Sequence, residues 1–392
     1  MIMNFTKLED YLGTLEQAYG VHGFDIKIMC GHRTLWRHMC GHRDYEQRKP
    51  VTDRDLYNVY SASKVITATA GMQLVEQGKL GLDDEVEKYL PEFSHMKVAD
   101  HFELGRWPIR MPDKKTPVHP AKKKILIRQL FSMTSGMSYD VASEWIKDKV
   151  EETNGEASTR EMMSALAQMP LLFEPGEHYA YALGHDVLAA VIEVISGMTF
   201  GEYLRKNIFA PLDMHDIWLQ EPEDAADRLS AQYIFDMETN TTRPDHSMIY
   251  RLTKNYECGG AGICTTVDDY SRFLDALANE GVGSTGARIL KPETIRLMTT
   301  NQLTDSQLQE FQMGWKTEYG YALGVRTLID NSKTLVPIGE FGWDGAAGAY
   351  ALIDPINHIS ITYAQEVLGM LPVYMTVHPK IRDLAYEGIF RD

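Results

Sequence analysis

Strand-like runs lie at both ends of this 392-residue chain, and helical patterns fill its middle. The runs are GFDIKIMC and TLWRHMC near the N-terminus, and YGYALGVRTLI, TLVPIGEFG, GAYALIDP and ISITYAQE near the C-terminus. Apolar residues recur at helical spacing from 125 to about 230, and further helices are predicted at 5–20, 267–281 and 292–300. The two ends therefore supply strands and the middle supplies helices.

The length of the chain sets its domain organisation. At 392 residues it is well above what one small core needs, so we expect one large compact unit or two packed subdomains. The approximate division is a sheet-and-helix part, 1–90 plus 255–392, and a mainly helical part, 91–254.

The charge balance limits the partners. Lys and Arg number 39 and Asp and Glu number 55, so the formal charge is −16. Such an acidic surface argues against nucleic acid or an anionic membrane as the main partner. No basic segment followed by an apolar one opens the chain, and no apolar run approaches membrane-spanning length. We expect a cytoplasmic protein.

The first two strand-like runs carry a cluster of possible metal ligands: Cys30, His32, His38, Cys40 and His42. A hairpin explains the segment better, because two strand-like runs flank a turn at 31–33. Alternation along the strands puts some of these side chains on opposite faces. We therefore favour a hairpin and predict no metal site.

Residues 97–124 are rich in proline and lysine and show no regular periodicity. Five of its lysines are close together: Lys114, Lys115, Lys122, Lys123 and Lys124. We predict a long irregular surface insertion, since loops of this length are uncommon inside compact domains. Its lysines could attract an anionic ligand, but a solvated loop is the favoured interpretation.

Ser61 and Lys64 form a Ser-x-x-Lys pair where a strand-like run gives way to a helix. Residues three apart on a helix lie on one face, so the amine can reach the hydroxyl. Serine needs an adjacent base to become a nucleophile, and burial lowers the pKa of a lysine toward that role. The helix N-terminus also places the Ser61 backbone N–H where an oxyanion can be held.

Five segments resemble the serine β-lactamase and penicillin-binding-protein superfamily, in particular class C β-lactamases and related esterases and D-peptidases. They follow the family order from about residue 23 to 365: YSASKVITATAGMQLVEQG, ILIRQLFSMTSGM, FEPGEHYAYALGHDVLAAVIEVISG, GGAGICTTVDDYSRFLDAL and FGWDGAAGAYALIDP. In the second segment Met133 stands where a His is usual. The resemblance implies an α/β fold of the α+β type: an antiparallel sheet flanked by helices, with a mainly helical subdomain, in one catalytic unit over 1–392.

The same resemblance implies roles for individual residues. Ser61 is the nucleophile and Lys64 its base partner. Tyr181 follows the Pro-Gly of its segment at the family spacing and shares proton transfer with Lys64, with a pKa lowered by nearby positive charge. The backbone N–H of Ala346 completes the oxyanion hole with that of Ser61.

Two further positions depart from the family pattern, and both are expected to line the substrate site together with Gly345. Leu183 stands where Asn or Ser is usual, so it cannot hydrogen-bond a substrate amide. Trp343 stands where Lys or His is usual, so it offers an apolar surface and an N–H instead of a charge. In having Trp at this position, the chain resembles esterase members of the family. Lys316 begins a Lys-Thr-Glu run that is similar to the Lys-Thr-Gly form of the family motif. It lacks the Gly and lies outside the FGWDGAAGAYALIDP segment, so we give it no role.

The favoured function is a serine hydrolase acting on small esters or amides. The alternative is a β-lactamase or D-amino-acid peptidase, which needs a carboxylate or amine anchor from the lysines of 114–124 or from Arg326. A non-catalytic member of the family is a third possibility. The expected partner is a small-molecule ester, amide or lactam, and this chemistry requires no metal or organic cofactor.

Overall fold

A computed structural model of the chain describes residues 3–100, 111–219, 223–313 and 316–391. Within these residues the strands are β1 (Gly23–Cys30), β2 (Arg33–Asp44), β3 (Lys49–Pro50), β4 (Tyr57–Asn58), β5 (Lys97–Ala99), β6 (Val118–Pro120), β7 (Ile217–Trp218), β8 (Tyr233–Asp236), β9 (Thr241–Pro244), β10 (Cys264–Thr265), β11 (Tyr319–Tyr321), β12 (Arg326–Leu328), β13 (Phe341–Asp344), β14 (Tyr350–Asp354), β15 (Ile359–Ala364) and β16 (Val367–Leu368).

The α-helices in the same part of the chain are α1 (Thr6–Leu12), α2 (Leu15–Tyr19), α3 (Ser63–Glu76), α4 (Ile127–Phe131), α5 (Glu144–Glu152), α6 (Thr159–Leu166), α7 (Gly184–Ser196), α8 (Phe200–Leu204), α9 (Val267–Ala278), α10 (Pro292–Thr299), α11 (Asp305–Gln312) and α12 (His378–Phe390). Short 3-10 helices span Tyr60–Ala62, Val86–Lys88, Pro91–His95 and Glu223–Arg228, and π-helical turns span Arg205–Phe209 and Val373–Val377.

Among the described residues, an eight-stranded antiparallel sheet joins the two ends of the chain. Its strand order is β11–β12–β13–β14–β15–β1–β2–β3. The N-terminal strands meet the C-terminal ones at β1 and β15, where Ile28 pairs with Ile361. The predicted fold class, an antiparallel sheet flanked by helices, is confirmed. The exact division into subdomains stays a prediction.

Helix α9 covers part of this sheet and shows how the sequence specifies the packing. Its N-cap is Thr266, whose hydroxyl accepts the backbone N–H of Asp269 at 3.2 Å. Its apolar face packs against β1, β14 and β15. Helix α12 packs against α1. The strands of the sheet are consequently buried where these helices cover them.

Helix α3 carries the Ser-x-x-Lys lysine and runs through the centre of the protein. Every residue from Ser63 to Leu74 is buried, because neighbouring segments cover this helix on all sides. It packs against α7, while a Cβ on Gly71 would lie 2.7 Å from the ring of Phe131. The glycine therefore allows the close approach of neighbouring segments that encloses Lys64.

Two predictions of local structure need correction. The helix predicted at 5–20 is divided, because α1 ends at Leu12 and α2 begins at Leu15 after a turn at Gly13. The 97–124 insertion is not wholly irregular, because β5 pairs with β6 at its two ends. Its residues 101–110, which include Pro108, lie outside the described part of the chain.

Three of the five lysines at 114–124 are paired with acidic neighbours. The pairs are Lys114 with Asp148, Lys123 with Glu177 at 3.1 Å, and Lys124 with Glu87 at 2.5 Å. These are exposed pairs of small energetic value. They give no support to an anionic-ligand patch.

The predicted hairpin corresponds to β1 and β2, which pair across the turn at Gly31 and His32. His32 Nδ1 lies 2.7 Å from Asp275, and Cys30 Sγ lies 3.6 Å from the carbonyl oxygen of Asn357. In residues 3–100, 111–219, 223–313 and 316–391, no group of three or more His, Cys, Asp or Glu side chains is arranged to hold a metal ion.

In the described residues no single helix is long and apolar enough to cross a membrane. Gly184–Ser196 and Phe200–Phe209 meet that criterion only as a pair, bent by 74°.

Candidate active site

The turn that carries Ser61 is locally strained. Strand β4 pairs with β10, and the chain then enters the 3-10 turn Tyr60–Ala62 before α3 begins. Tyr60 has a φ of +43°, a left-handed conformation that bulky residues rarely adopt. Its hydroxyl donates to the side chain of Gln232, which holds the ring in place. The surrounding structure thus fixes the residue before the predicted nucleophile.

Lys64 follows Ser61 by one helical turn and is completely buried. Its ammonium lies 3.3 Å from Ser61 Oγ and 3.4 Å from the hydroxyl of Tyr139, and it donates to the carbonyl oxygen of Gly260 at 2.7 Å. The amine is therefore directed at the serine hydroxyl by contacts from three separate segments. The Ser-x-x-Lys geometry expected from the spacing is present.

Burial lowers the pKa of Lys64 to about 8, and the negative charge of Asp186 opposes that shift. At this value roughly half of the amines are neutral near pH 8, so a base is available at moderate pH. Asp186 is itself fully buried in the first turn of α7, and its Oδ1 accepts the hydroxyl of Tyr256 at 2.8 Å.

Tyr181 lies between Ser61 and Trp343. The Trp343 indole donates to the Tyr181 hydroxyl at 3.0 Å, and the nearby Ser61 side chain interacts with that hydroxyl and lowers its pKa. Lys64 Nζ lies 4.7 Å from the centre of the Tyr181 ring and 5.1 Å from that of the Tyr139 ring, and the two rings stack at 5.2 Å. The structure brings Ser61, Lys64 and Tyr181 together.

The prediction that positive charge lowers the pKa of Tyr181 is wrong. Burial raises that pKa, and the interactions with Ser61 and Trp343 only partly offset the effect. Tyr181 is therefore a neutral phenol at ordinary pH. The pKa of Lys64, in contrast, is shifted toward neutral pH, so Lys64 is the better candidate for the base.

Strand β13 lies directly against the Ser61 turn. A Cβ on Gly345 would collide with the carbonyl oxygen of Val59, so glycine is required for this approach. The chain then turns back, with Gly345 N–H donating to Ala349 at 2.8 Å and Gly348 N–H donating to Gly345 at 2.9 Å. Ala346 lies within this turn, beside the nucleophile. Its role as an oxyanion donor stays a prediction.

Leu183 caps the N-terminus of α7 and is buried in the core. Its backbone N–H donates to the carbonyl oxygen of Ser138 at 3.2 Å. Its side chain offers the site no polar group. Its predicted contact with substrate stays a prediction.

Arg326 cannot serve as a free carboxylate anchor. It is fully buried and donates to Asp344 at 3.1 Å, Glu340 at 3.2 Å and the carbonyl oxygen of Ala351 at 3.0 Å. Lys316 lies 2.7 Å from Asp344, so its side chain does reach the FGWDGAAGAYALIDP segment. Both cations neutralise the carboxylate that follows Trp343. The structure therefore gives no support to Arg326 as a substrate anchor.

Sequence reasoning missed Tyr139, Asp186 and the Gly260 carbonyl. Tyr139 and Gly260 are 75 and 196 residues from Lys64 in the chain, so no local spacing connects them to it. The Ser-x-x-Lys spacing itself recurs at Ser94 and Lys97, but Lys97 is exposed and begins β5. Spacing alone does not separate the two pairs, whereas burial does.

Comparison with known proteins identifies the family of the chain. The chain matches the family model described as Beta-lactamase over residues 8–376. An uncharacterized protein of Mycobacterium tuberculosis is 30% identical over 336 residues, covering 82% of this chain and 80% of that protein. The ML-236A carboxylate methylbutanoyltransferase of Penicillium citrinum is 28% identical over 311 residues, covering 78% of this chain and 69% of that enzyme.

Among solved structures, EstCE1, a hydrolase with promiscuous acyltransferase activity, superposes with a TM-score of 0.78. The two are 23% identical, over 97% of this chain and 98% of EstCE1, which shows a shared fold. The chain belongs to the Beta-lactamase family, a family of serine hydrolases and acyltransferases.

Proposed function

We propose that the protein is a serine hydrolase that forms an acyl-enzyme on Ser61 and acts on small esters or amides. The observation that carries the proposal is the buried Lys64 amine, 3.3 Å from Ser61 Oγ, with its pKa lowered to about 8. An ordinary surface lysine has neither the burial nor the pKa of a base.

The proposed reaction has two halves. In acylation, the neutral Lys64 amine takes the Ser61 proton, directly or through the Tyr181 hydroxyl, as Ser61 Oγ attacks the substrate carbonyl. The tetrahedral oxyanion is held by the backbone N–H groups of Ser61 and Ala346. Its collapse breaks the bond to the alcohol or amine, which leaves with that proton. In deacylation, a water molecule gives a proton to the neutral Lys64 amine as its oxygen attacks the acyl carbonyl. Collapse of this second tetrahedral intermediate breaks the bond to Ser61 Oγ, which takes that proton, and releases the carboxylic acid.

The substrate preference follows from what surrounds Trp343. The indole stacks near Tyr181 at 5.6 Å and contacts Tyr321 edge-on at 5.0 Å, so this wall of the site is aromatic. The buried cations nearby, Lys316 and Arg326, are paired with Asp344. A neutral acyl group suits this environment better than the carboxylate of a penicillin or a D-Ala peptide.

Transfer of the acyl group to an alcohol is the second candidate. Relatives named as an acyltransferase and as a hydrolase with acyltransferase activity support it. The aromatic side chains beside Ser61 support it too, because apolar walls favour an organic acceptor over water.

Fluorophosphonate labelling of the wild type and Ser61→Ala tests the proposal, alongside turnover of short-chain p-nitrophenyl esters, a chromogenic cephalosporin and D-Ala peptides. We expect labelling and ester turnover that disappear in Ser61→Ala. Adding an alcohol during ester turnover distinguishes transfer from hydrolysis by its ester product. Absence of Ser61-dependent labelling would remove the proposal, and cephalosporin turnover far above ester turnover would favour the β-lactamase alternative.

A further inference from the structure

The turn after β13 is held from its outer side by the C-terminal segment. Tyr374 lies in the π-helical turn Val373–Val377 that leads into α12. Its hydroxyl is 3.0 Å from the carbonyl oxygen of Gly345 and 3.2 Å from that of Ala346, and it donates to them. One turn later, His378 Nε2 lies 3.0 Å from the carbonyl oxygen of Gly348. The segment thus contacts the turn at both of its ends.

The contact with Gly345 has a consequence for Ala346, because the Gly345 carbonyl and the Ala346 N–H belong to one peptide unit. That unit is planar and its C=O and N–H point in opposite directions when it is trans. A donor fixed on the carbonyl therefore fixes the direction of the N–H. A hydrogen bond to the carbonyl also polarises the peptide and strengthens its N–H as a donor.

We propose that Tyr374 is a positioning residue for the oxyanion hole, acting through the Gly345–Ala346 peptide. The chain of contacts runs from the Tyr374 hydroxyl to the Gly345 carbonyl, and from the Ala346 N–H to the substrate oxyanion. This inference rests on the proposed function, in which the oxyanion develops at Ser61. Tyr374 itself does not touch the reacting atoms.

Two further observations support this role. Burial raises the pKa of Tyr374, so its hydroxyl keeps its proton and remains a donor throughout the working pH range. On the other flank of the turn, the absence of a side chain at Gly345 lets the strand lie against Val59. The peptide is therefore confined between the Ser61 turn on one side and Tyr374 on the other.

The same helical segment provides a matched control. Tyr386, in α12, donates its hydroxyl to Asp354 Oδ2 at 2.7 Å, at the far end of the β13–β14 hairpin. Tyr374→Phe and Tyr386→Phe each remove one hydroxyl that ties the C-terminal segment to this hairpin. Only the first of the two is adjacent to the oxyanion peptide.

The experiment compares both variants with the wild type in four measurements. The first two are the second-order rate of fluorophosphonate labelling at Ser61 and kcat/KM for a short-chain p-nitrophenyl ester. The third is affinity for an alkylboronic acid, and the fourth is affinity for a non-hydrolysable ether analogue of the ester. Boronic acids form a tetrahedral adduct that resembles the transition state, whereas the ether resembles the ground state. We expect Tyr374→Phe to reduce the first three by roughly tenfold, the size of one lost hydrogen bond, and to leave ether binding unchanged. Tyr386→Phe should leave all four unchanged.

A second variant protects the test against misfolding. A meta-fluorinated tyrosine at position 374 keeps the side-chain shape and makes the hydroxyl a stronger donor, so labelling should be as fast as in the wild type or faster. Equal losses in Tyr374→Phe and Tyr386→Phe, or wild-type boronate affinity in Tyr374→Phe, would overturn the inference alone. Absence of Ser61-dependent labelling in the wild type would overturn the proposed function and this inference with it.

Discussion

Two opposing effects set the pKa of the Lys64 amine. Burial favours the neutral form and lowers its pKa to about 8, whereas the carboxylate of Asp186 favours the ammonium form. The Gly260 carbonyl and the hydroxyls of Ser61 and Tyr139 then orient the amine. The pKa of the base is therefore set by groups that are distant in sequence.

Asp186→Asn is expected to lower the pKa of Lys64 further, because the negative charge that raises it is removed while the Tyr256 hydroxyl keeps an acceptor. The acidic limb of the kcat/KM profile, which reports protonation of the base, should move to lower pH by roughly one unit. Profiles measured with a p-nitrophenyl ester check this. The control is Asp213→Asn, at an exposed carboxylate paired with His215 and Arg272. An acidic limb that stays in place or moves to higher pH contradicts this account of Asp186.

For individual residues, the sequence predicted the pair Ser61 and Lys64 but not the residues that contact Lys64. Ser61 and Lys64 are one helical turn apart, so their proximity follows from local geometry. Tyr139 and Gly260 reach Lys64 only because α3 is packed at the centre of the fold. The error about the Tyr181 pKa has the same origin, since burial cannot be measured from spacing.

At the scale of elements, the site forms where β13 meets the strained turn Tyr60–Ala62. Trp343 in β13 donates to Tyr181, and Gly345 lies against the carbonyl oxygen of Val59. Neither element forms the site by itself. The sequence motifs located both of them, but their contact depends on the sheet order that places β13 beside the turn.

Gly345→Ala is expected to displace β13 from the Ser61 turn, because the new methyl group meets a backbone oxygen that cannot rotate away. A shift of about 1 Å in the oxyanion donor should reduce kcat/KM roughly a hundredfold. Ester kinetics and the thermal midpoint check this. Gly13→Ala is the control, since Gly13 has a φ of −62° and its Cβ would make only ordinary contacts at 3.5 Å. Activity close to that of the control would show that the strand tolerates the methyl group.

At the scale of the whole molecule, enclosing a lysine in the core opposes folding. The unfolded chain has a Lys64 pKa near 10.5, and the folded protein lowers it to about 8. Below pH 8 the ammonium is therefore disfavoured in the folded state, and between pH 8 and 10.5 the unfolded state binds more protons. The contribution of Lys64 to stability consequently becomes less unfavourable as the pH rises through this window.

Lys64→Met is expected to abolish activity and to stabilise the fold by about 1–3 kcal/mol at pH 7. This is the free energy that corresponds to the pKa shift of Lys64, less the free energy of the hydrogen bonds that the variant loses. The gain should diminish between pH 8 and 10.5, as the amine becomes neutral in the folded wild type. Urea unfolding at pH 7 and pH 10 measures both values. A destabilised variant at pH 7, or a gain that grows with pH, is incompatible with a lysine disfavoured by burial.

The sequence by itself determined the class of fold, and it predicted Ser61 and Lys64 as the reacting pair. Periodicity identified strands at the two ends and helices in the middle, spacing pointed to Ser61 and Lys64, and the family resemblance pointed to Tyr181. These are local properties, so they can be read along the chain. The cytoplasmic location, also inferred from the sequence, stays a prediction.

Only the tertiary structure decided which groups surround that pair. It enclosed Lys64, placed Asp186 and Tyr139 beside it, and paired Arg326 with Glu340 and Asp344 so that it is not a substrate anchor. It also placed the Tyr374 hydroxyl on the Gly345 carbonyl oxygen of the Gly345–Ala346 peptide. The physical reason is that burial and electrostatic coupling depend on distances through space between residues that are far apart in the chain.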